Sequence, residues 1–105
     1  MTGNISEIGI DAFRECTSLT EIVIPDTVVK VGSLAFYGCT ELKDITIGKK
    51  VSRLDNYCFS ECTGLQKIRY SRTIAGWNTI EKDSNWDKNT GNYTIVCSDG
   101  TIAKS

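Results

Sequence analysis

The chain has 105 residues, with 12 basic and 13 acidic side chains, a formal net charge of −1 and no histidine. This length fits one domain, the balanced charge lacks the clustered lysine and arginine that nucleic acids require, and no apolar run approaches the roughly 20 residues that cross a bilayer. Without histidine the chain lacks the commonest general base and metal ligand, so the composition disfavours enzymes and metal sites and gives no sign of a cofactor.

Three segments of the sequence repeat with an offset of 23 residues: IGIDAFRECTSLTEIVIP from Ile8, VGSLAFYGCTELKDITIG from Val31 and LDNYCFSECTGLQKIRYS from Leu54. A phenylalanine, a cysteine, a leucine and an isoleucine recur at fixed places, in the columns Phe13/Phe36/Phe59, Cys16/Cys39/Cys62, Leu19/Leu42/Leu65 and Ile22/Ile45/Ile68. A unit this short cannot bury its own apolar side, so the repeats are predicted to stack as a solenoid.

Alternating apolar residues predict one strand per repeat, near 20–24, 43–47 and 66–70. Neighbouring strands are expected to pair in parallel about 4.8 Å apart. A second, shorter extended piece is predicted around VVKV and VSRL, while segments of the AFREC type are long enough only for about one helical turn.

The tail after the third repeat differs from the repeats. GWNTIEKDS predicts a short helix, and YTIVCSDGTIA predicts a hairpin whose tight turn lies at Asp99-Gly100. Trp77 and Trp86 are suited to covering the open end of the core. The other end has no comparable lid, so the strand at 20–24 is expected to keep a free edge that permits self-association. We therefore expect the C-terminal end, or an excised piece, of a longer array.

The motif I-G-x-x-A-F-x-x-C-x-x-L-x-x-I-x-I-P, met most fully at 8–25, resembles the BspA-like, or Treponema-type, leucine-rich repeat. The later repeats depart in part, with Gly48 and Ser71 in place of the proline, Asp55 in place of a glycine and Cys58 in place of an alanine. The tail is similar to the segment that closes many such arrays. The resemblance and the periodicity together predict an α/β leucine-rich-repeat solenoid with a short parallel sheet and 23-residue repeats. We expect one domain over 1–105, with repeats at 5–74 and a helix and hairpin cap at 75–105.

The five cysteines cannot all pair with one another, because their number is odd. Three share one repeat column, where thiols in a line do not surround a metal tetrahedrally. We predict reduced thiols that fill the core as small apolar groups, with Cys58 packed beside Phe59, and leave open whether Cys97 is buried or free.

The stretch DSNWDKNTGN places oxygen-bearing side chains at alternate positions, as calcium-binding loops do: Asp83, Asn85, Asp87 and Asn89. Counted from Asp83, the sixth residue is Lys88 where such a loop needs glycine, and the twelfth is Thr94 where it needs a carboxylate. The stretch is therefore interpreted as a polar turn that joins the cap helix to its hairpin.

Other catalytic signatures are absent from the sequence. No glycine-rich phosphate loop occurs. Ser98 and Asp99 share the predicted hairpin, but no histidine or clearly placed lysine activates the hydroxyl. We therefore predict that the protein is not an enzyme.

With catalytic and metal sites disfavoured, the candidate binding site is the face of the sheet that points away from the core. Alternation along the strands assigns six residues to this outward face: Glu21, Val23, Asp44, Thr46, Lys67 and Arg69. Lys67 and Arg69 are suited to acidic groups. Asp44 is expected to lie beside Lys67, which offsets the unfavourable neighbouring charges of Glu21 and Asp44. The resemblance implies a noncatalytic module that binds a protein or host-surface ligand in an extracellular or cell-surface location, although MTGNISEIG is no signal peptide. The alternative is a structural spacer and end cap with no ligand of its own. A further alternative is that these six residues form an ordinary solvated face, charged only because it meets water.

Overall fold

The structure, a computed structural model, describes residues 5–104 and consists of about four stacked coils, each with one short and one longer strand. The short strands form one sheet: β1 (Glu7–Ile8), β3 (Lys30–Val31), β5 (Arg53–Leu54) and β7 (Glu81–Lys82). The longer strands form the other: β2 (Glu21–Ile24), β4 (Asp44–Ile47), β6 (Lys67–Tyr70) and β8 (Thr94–Cys97), followed by β9 (Gly100–Ala103). We number the coils 1 to 4 from the N-terminus.

The larger sheet follows the repeat register. β2, β4, β6 and β8 pair in parallel, and Ile22, Ile45, Ile68 and Ile95 lie side by side. Along β4 and β6 every second residue is buried, because the two-residue period of a strand turns one face to the core. The three predicted strands and their parallel direction are confirmed.

The smaller sheet contains the two shorter pieces that were predicted, β3 and β5. It also contains β1 and β7, which the sequence did not reveal. Glu81 and Lys82 were expected to belong to the cap helix, and that prediction is wrong. The helix α1 (Ile74–Thr79) ends earlier, and β7 pairs in parallel with β5. The solenoid thus continues into a fourth coil.

Between the two strands of each of coils 1 to 3, a turn segment adds a phenylalanine to a continuous stack of rings. The rings of Phe13 and Phe36 stack at 5.1 Å with an interplanar angle of 4°, and those of Phe36 and Phe59 at 5.1 Å and 11°. This spacing matches the distance between paired strands, about 4.8 Å. The segments contain turns and no helix.

The same backbone geometry recurs in every turn segment although the residue changes. Positive φ angles of 57°, 75°, 62° and 58° fall at Glu15, Gly38, Glu61 and Asn89. Only glycine adopts this conformation without steric cost, so the stacking of coils imposes it on the other three residues.

The C-terminal end is closed by α1 and β9. Thr73 caps the helix by accepting a hydrogen bond from the amide of Gly76 at 3.1 Å, and Asp99 accepts one from the amide of Ile74 at 2.9 Å. The hairpin turn lies one residue earlier than predicted, at Ser98 and Asp99, because Gly100 already pairs with Cys97. Among residues 5–104 no helix is long and apolar enough to span a membrane.

Tryptophans cover the core at this end, as predicted. Trp86 ends the phenylalanine stack because its ring lies edge-on to that of Phe59. The two ring centroids are 6.3 Å apart and the interplanar angle is 83°. Its ring centroid also lies 6.0 Å from that of Trp77 and 6.2 Å from that of Tyr93, and all of these side chains are buried. Edge-to-face aromatic packing of this kind stabilises beyond the area buried.

Candidate binding face

The six residues assigned to the outward face lie on that side of the larger sheet. The in-register rows pair Glu21 with Asp44 and Asp44 with Lys67, and in the next column Val23 with Thr46 and Thr46 with Arg69. All six side chains are exposed or half-buried. The sheet therefore presents two parallel columns of side chains to solvent.

Strand β8 adds a fourth row that sequence reasoning missed. Thr94 lies beside Lys67, and Val96 lies beside Arg69. Both side chains are half-buried. The alternation in YTIVC was a sufficient signal for outward residues, but this segment was assigned to a hairpin cap and its outward residues were not added to the face.

The strongest polar contact on the outward face joins Arg69 to Asp44. Arg69 Nε lies 3.2 Å from Asp44 Oδ1, and its Nη2 lies 3.3 Å from Oδ2. Asp44 lies in register beside Lys67 as expected, but its carboxylate binds Arg69, whose long side chain reaches diagonally and contacts it with two nitrogens. Both partners are partly exposed, so the pair adds little stability. Lys67 makes no ion pair within the described residues.

The apolar content of the outward face is low. Val23 is 63% exposed and, within residues 5–104, is one of three exposed large hydrophobic residues, with Ile10 and Val29. The outward residues of the four rows include no aromatic side chain, the kind that dominates binding energy in protein interfaces. The face as it stands is suited to polar and charged contacts over several strands.

The cysteines lie where small apolar groups were expected. All five are free, and Cys39, Cys58, Cys62 and Cys97 are buried. In two successive coils the thiol donates a hydrogen bond to the phenylalanine carbonyl of the coil before: Cys39 to Phe13 at 3.1 Å and Cys62 to Phe36 at 3.2 Å. Burial raises the pKa of Cys62 to about 12 and that of Cys58 well above its ordinary value, so both remain protonated at neutral pH.

The side chains of DSNWDKNTGN contact the protein itself. Asp83 binds Arg53 at 2.8 Å, Asp87 accepts a hydrogen bond from the hydroxyl of Tyr93 at 2.7 Å, and Asn89 donates one to Glu61 at 2.6 Å. The stretch is the turn segment of coil 4, with Trp86 as its core residue. It does not simply join helix to hairpin, because β7 lies between α1 and this segment.

A charged cluster on the smaller sheet was also missed. Arg53 binds three carboxylates, those of Asp55 at 2.7 Å, Glu81 at 2.7 Å and Asp83 at 2.8 Å, and the first of these hydrogen bonds raises the pKa of the guanidinium. Lys30 also contacts Asp55, at 3.3 Å. The 23-residue spacing of Lys30 and Arg53 was the available signal. The cluster ties coil 4 to coil 3, since two of the carboxylates come from coil 4.

Comparison with known proteins gives one family and two solved structures. Residues 1–101 match, in six copies, the family described as BspA type leucine-rich repeat region. A leucine-rich repeat protein from Bacteroides capillosus superposes with a TM-score of 0.69 at 25% identity, and one from Bacteroides ovatus with 0.63 at 25% identity. No curated protein matches the chain.

The solved relatives are longer than this chain. The match to the B. capillosus protein covers 90% of this chain and 64% of that one, and the match to the B. ovatus protein covers 89% and 25%. The chain thus spans less than two thirds of either relative, and the superposition covers the stacked coils and their parallel sheets.

Proposed function

Because the chain belongs to the BspA-type leucine-rich repeat family, we propose that it is a noncatalytic module that binds a protein or host-surface ligand through its outward face. The observation that carries this proposal is the in-register alignment of outward residues over four rows. An extended array of repeated strands is a surface of the kind that solenoid proteins use for binding.

The chemistry of the outward face favours a ligand with acidic groups. Lys67 makes no ion pair among the described residues, and its neighbour Arg69 keeps a guanidinium edge free beyond its bond to Asp44. Guanidinium and ammonium groups bind carboxylates by charge-assisted hydrogen bonds. Affinity is expected to be modest, since no aromatic anchor lies among the outward residues.

We place the protein at the cell surface or outside the cell, as part of the same proposal. Support comes from the family, because the resemblance to BspA-like repeats implies a bacterial surface protein. Reduced thiols are compatible with that location, because four of the five are buried and unavailable for exchange while the fold is intact, and only Cys16 is half-buried.

The test uses two variants with equal changes of charge. Lys67→Glu with Arg69→Glu alters the outward face, whereas Lys49→Glu with Lys50→Glu alters an exposed turn that follows β4. Ligands captured by the immobilised wild-type domain are identified by mass spectrometry, and their Kd values are then measured by interferometry. We expect the face variant to bind about tenfold or more weakly and the turn variant to bind as the wild type does.

Equal binding by both variants would remove the face as the site. Because Arg69→Glu also places a carboxylate near Asp44, the thermal unfolding of the two variants is compared first.

The alternative proposal is a structural spacer and end cap without a ligand. The closed C-terminal end favours it, since Trp77, Trp86 and β9 complete the solenoid there. A longer parent protein whose binding maps wholly to repeats before this segment, with no ligand retained by the isolated domain, would decide for the alternative.

A further inference from the structure

A basic corner of the solenoid lies where the chain leaves the larger sheet after β4 and β6. Continuing the strand register beyond the strands gives one repeat position to Asp26, Lys49, Arg72 and Asp99. Lys49, its neighbour Lys50, and Arg72 are exposed, and within residues 5–104 none of the three forms an ion pair. We call these three residues the basic corner. It belongs to coils 2 and 3, between coils 1 and 4.

Aspartate side chains bind main-chain amides on both sides of the basic corner. Asp26 Oδ1 accepts a hydrogen bond from the amide of Lys49 at 3.0 Å. Asp99 Oδ1 accepts one from the amide of Ile74 at 2.9 Å. The molecule therefore shows twice that a carboxylate fits a main-chain amide at this edge.

The amide of Arg72 is the equivalent donor in coil 3, but it has no such acceptor. By the pattern of Asp26 and the amide of Lys49, its partner would be the side chain of Lys49, and an ammonium group has no acceptor atom. No atom of residues 5–104 accepts a hydrogen bond from this amide. The carbonyl of Arg72 accepts one from the amide of Ser98 at 2.9 Å, which holds the backbone in place. An unpaired donor and three unpaired cations thus share one corner, and such groups bind anions.

The basic corner is distinct from the start of α1 and from the outward face. The first amides of the helix already have partners, since Asp99 binds the amide of Ile74 and Thr73 binds that of Gly76. The cations of the outward face, Lys67 and Arg69, lie within β6, whereas the basic corner lies beyond the ends of β4 and β6.

The surroundings of the basic corner select the class of ligand. No pocket occurs in the part of the chain that the structure describes, so a small anion would stay exposed to solvent, where a single ion pair is weak. Three cations suit a chain that offers several carboxylates at once. The exposed neighbours Ser71 and Thr73 give no apolar surface for a folded partner. Because the carboxylates that bind amides here belong to aspartates, an acidic peptide matches the site.

We propose that the basic corner binds an acidic, extended segment of a partner protein. One aspartate or glutamate of the segment accepts a hydrogen bond from the amide of Arg72, as Asp26 does from the amide of Lys49. Its other carboxylates pair with the side chains of Lys50 and Arg72. The site is additional to the outward face and uses different cations.

The probe is a blocked peptide of six aspartates, and its control is a blocked peptide of six asparagines, which has a similar shape without the charge. Binding to the domain is followed by NMR, from the shift of the Arg72 amide. We expect only the acidic peptide to shift this amide, with an affinity that falls as salt rises. Hexagalacturonate, which carries as many carboxylates on a sugar chain, is expected to bind about tenfold more weakly, because its rings hold the carboxylates too rigidly to reach the amide.

Two substitutions with the same change of charge separate the amide from the cations. Lys49→Asp supplies an internal carboxylate from the position that Asp26 has in coil 1, so we expect slower hydrogen exchange of the Arg72 amide and peptide binding that is about tenfold weaker or more. Lys50→Asp leaves that amide unpaired, so we expect its exchange to be unchanged and binding to weaken only about threefold.

The outward-face variant Lys67→Glu with Arg69→Glu serves as the control for location. It is expected to keep the peptide-induced shift of the Arg72 amide, so a failure of this proposal is distinguishable from a failure of the proposed function.

Four outcomes would overturn the proposal. The first is no shift of the Arg72 amide with the acidic peptide, or an equal shift with the asparagine peptide. The second is slow exchange of this amide in the unbound protein, which would show that the chain itself supplies an acceptor. The third is an equal effect of Lys49→Asp and Lys50→Asp on binding and exchange. The fourth is equal binding of hexagalacturonate, which would assign the basic corner to acidic polysaccharides.

Discussion

The two ends of the solenoid are built from related coils but differ in how they meet solvent. In coil 1 Phe13 is half-buried, and among residues 5–104 β2 is the first strand of the larger sheet. At the C-terminal end Trp86 turns across Phe59, and β9 pairs antiparallel with β8. The repeat sequence is thus enough to build the interior, but closing it takes residues that break the repeat.

The spacing of the last coil shows how that break is made. In coils 1 to 3, residues that pair across neighbouring strands are 23 positions apart in the sequence. The spacing is larger between coils 3 and 4: Leu54 pairs with Lys82, 28 positions later, and Lys67 pairs with Thr94, 27 positions later. The extra residues form α1, whose Trp77 enters the core beside Tyr70 at 5.6 Å. An insertion of one short helix therefore supplies part of the lid while the strands keep their parallel pairing.

The largest expected effect comes from removing the aromatic lid. Trp86→Ala leaves a cavity against Phe59, Trp77 and Tyr93, and we expect the free energy of unfolding to fall by about 3–5 kcal/mol. Phe13→Ala, in coil 1, is expected to cost about 1–2 kcal/mol, because Phe13 is half-buried and, among residues 5–104, stacks on the ring of Phe36 alone. Urea unfolding of both variants measures the difference. Equal losses would contradict the contrast between the ends.

Alkaline pH is expected to destabilise the interior through its buried thiols. An unfolded thiol titrates near pH 8.5, whereas burial raises the pKa of Cys62 to about 12, so the stabilisation is complete below about pH 8.5 and is lost between these values as the unfolded thiol ionises. Between these pH values the free energy of unfolding falls by about 1.4 kcal/mol per pH unit because of this thiol.

Cys62→Ala is therefore expected to have a shallower loss of stability between about pH 9 and 10.5 than the wild type, measured by urea unfolding at several pH values. Parallel curves for variant and wild type would show that Cys62 is accessible to ionisation in the folded state.

The hydroxyl that caps α1 is expected to contribute more stability than an exposed threonine hydroxyl in coil 1. Thr73→Ala removes the acceptor for the amide of Gly76, at an expected cost of about 1 kcal/mol. Thr17→Ala, an exposed residue of coil 1, is the matched control and should leave the melting temperature unchanged. If the two variants melt together, Thr73 does not stabilise α1.

The smallest expected effect is a difference in thiol accessibility between coil 1 and the later coils. Cys16 is the one half-buried cysteine, whereas the other four are buried. Under native conditions we expect iodoacetamide to modify Cys16 first, as followed by mass spectrometry of peptides. Modification of Cys39 or Cys62 at the same rate would mean that the interior opens as readily as its end.

Much of the fold followed from the sequence because the columns repeat. Phe13, Phe36 and Phe59 share one spacing, and the alternation in EIVIP, DITIG and KIRYS predicts both the strands and their faces. β1 and β7 could not be predicted in this way, since two-residue strands carry no periodic pattern. Glu81 and Lys82 were assigned to a helix because the changed spacing of coil 4 hid their register.

The outward face was predictable as a set of residues but not as a set of contacts. Alternation identifies Asp44, Lys67 and Arg69, yet the choice of Arg69 as the partner of Asp44 depends on the length and reach of its side chain. The threefold bonding of Arg53 likewise depends on Glu81 and Asp83, whose place beside coil 3 follows only from the course of the chain through α1. The assignment of the face as a ligand site stays a prediction.

Amide hydrogen exchange measured by NMR, residue by residue, tests the central claim of one continuous core that a tryptophan lid closes at its C-terminal end. We predict that the amides hydrogen-bonded between β4 and β6 exchange slowest, that those between β6 and β8 are comparably protected, and that those between β2 and β4 exchange at least about tenfold faster. Protection that is highest at β2, or lowest at β8 under its tryptophan lid, would contradict the account.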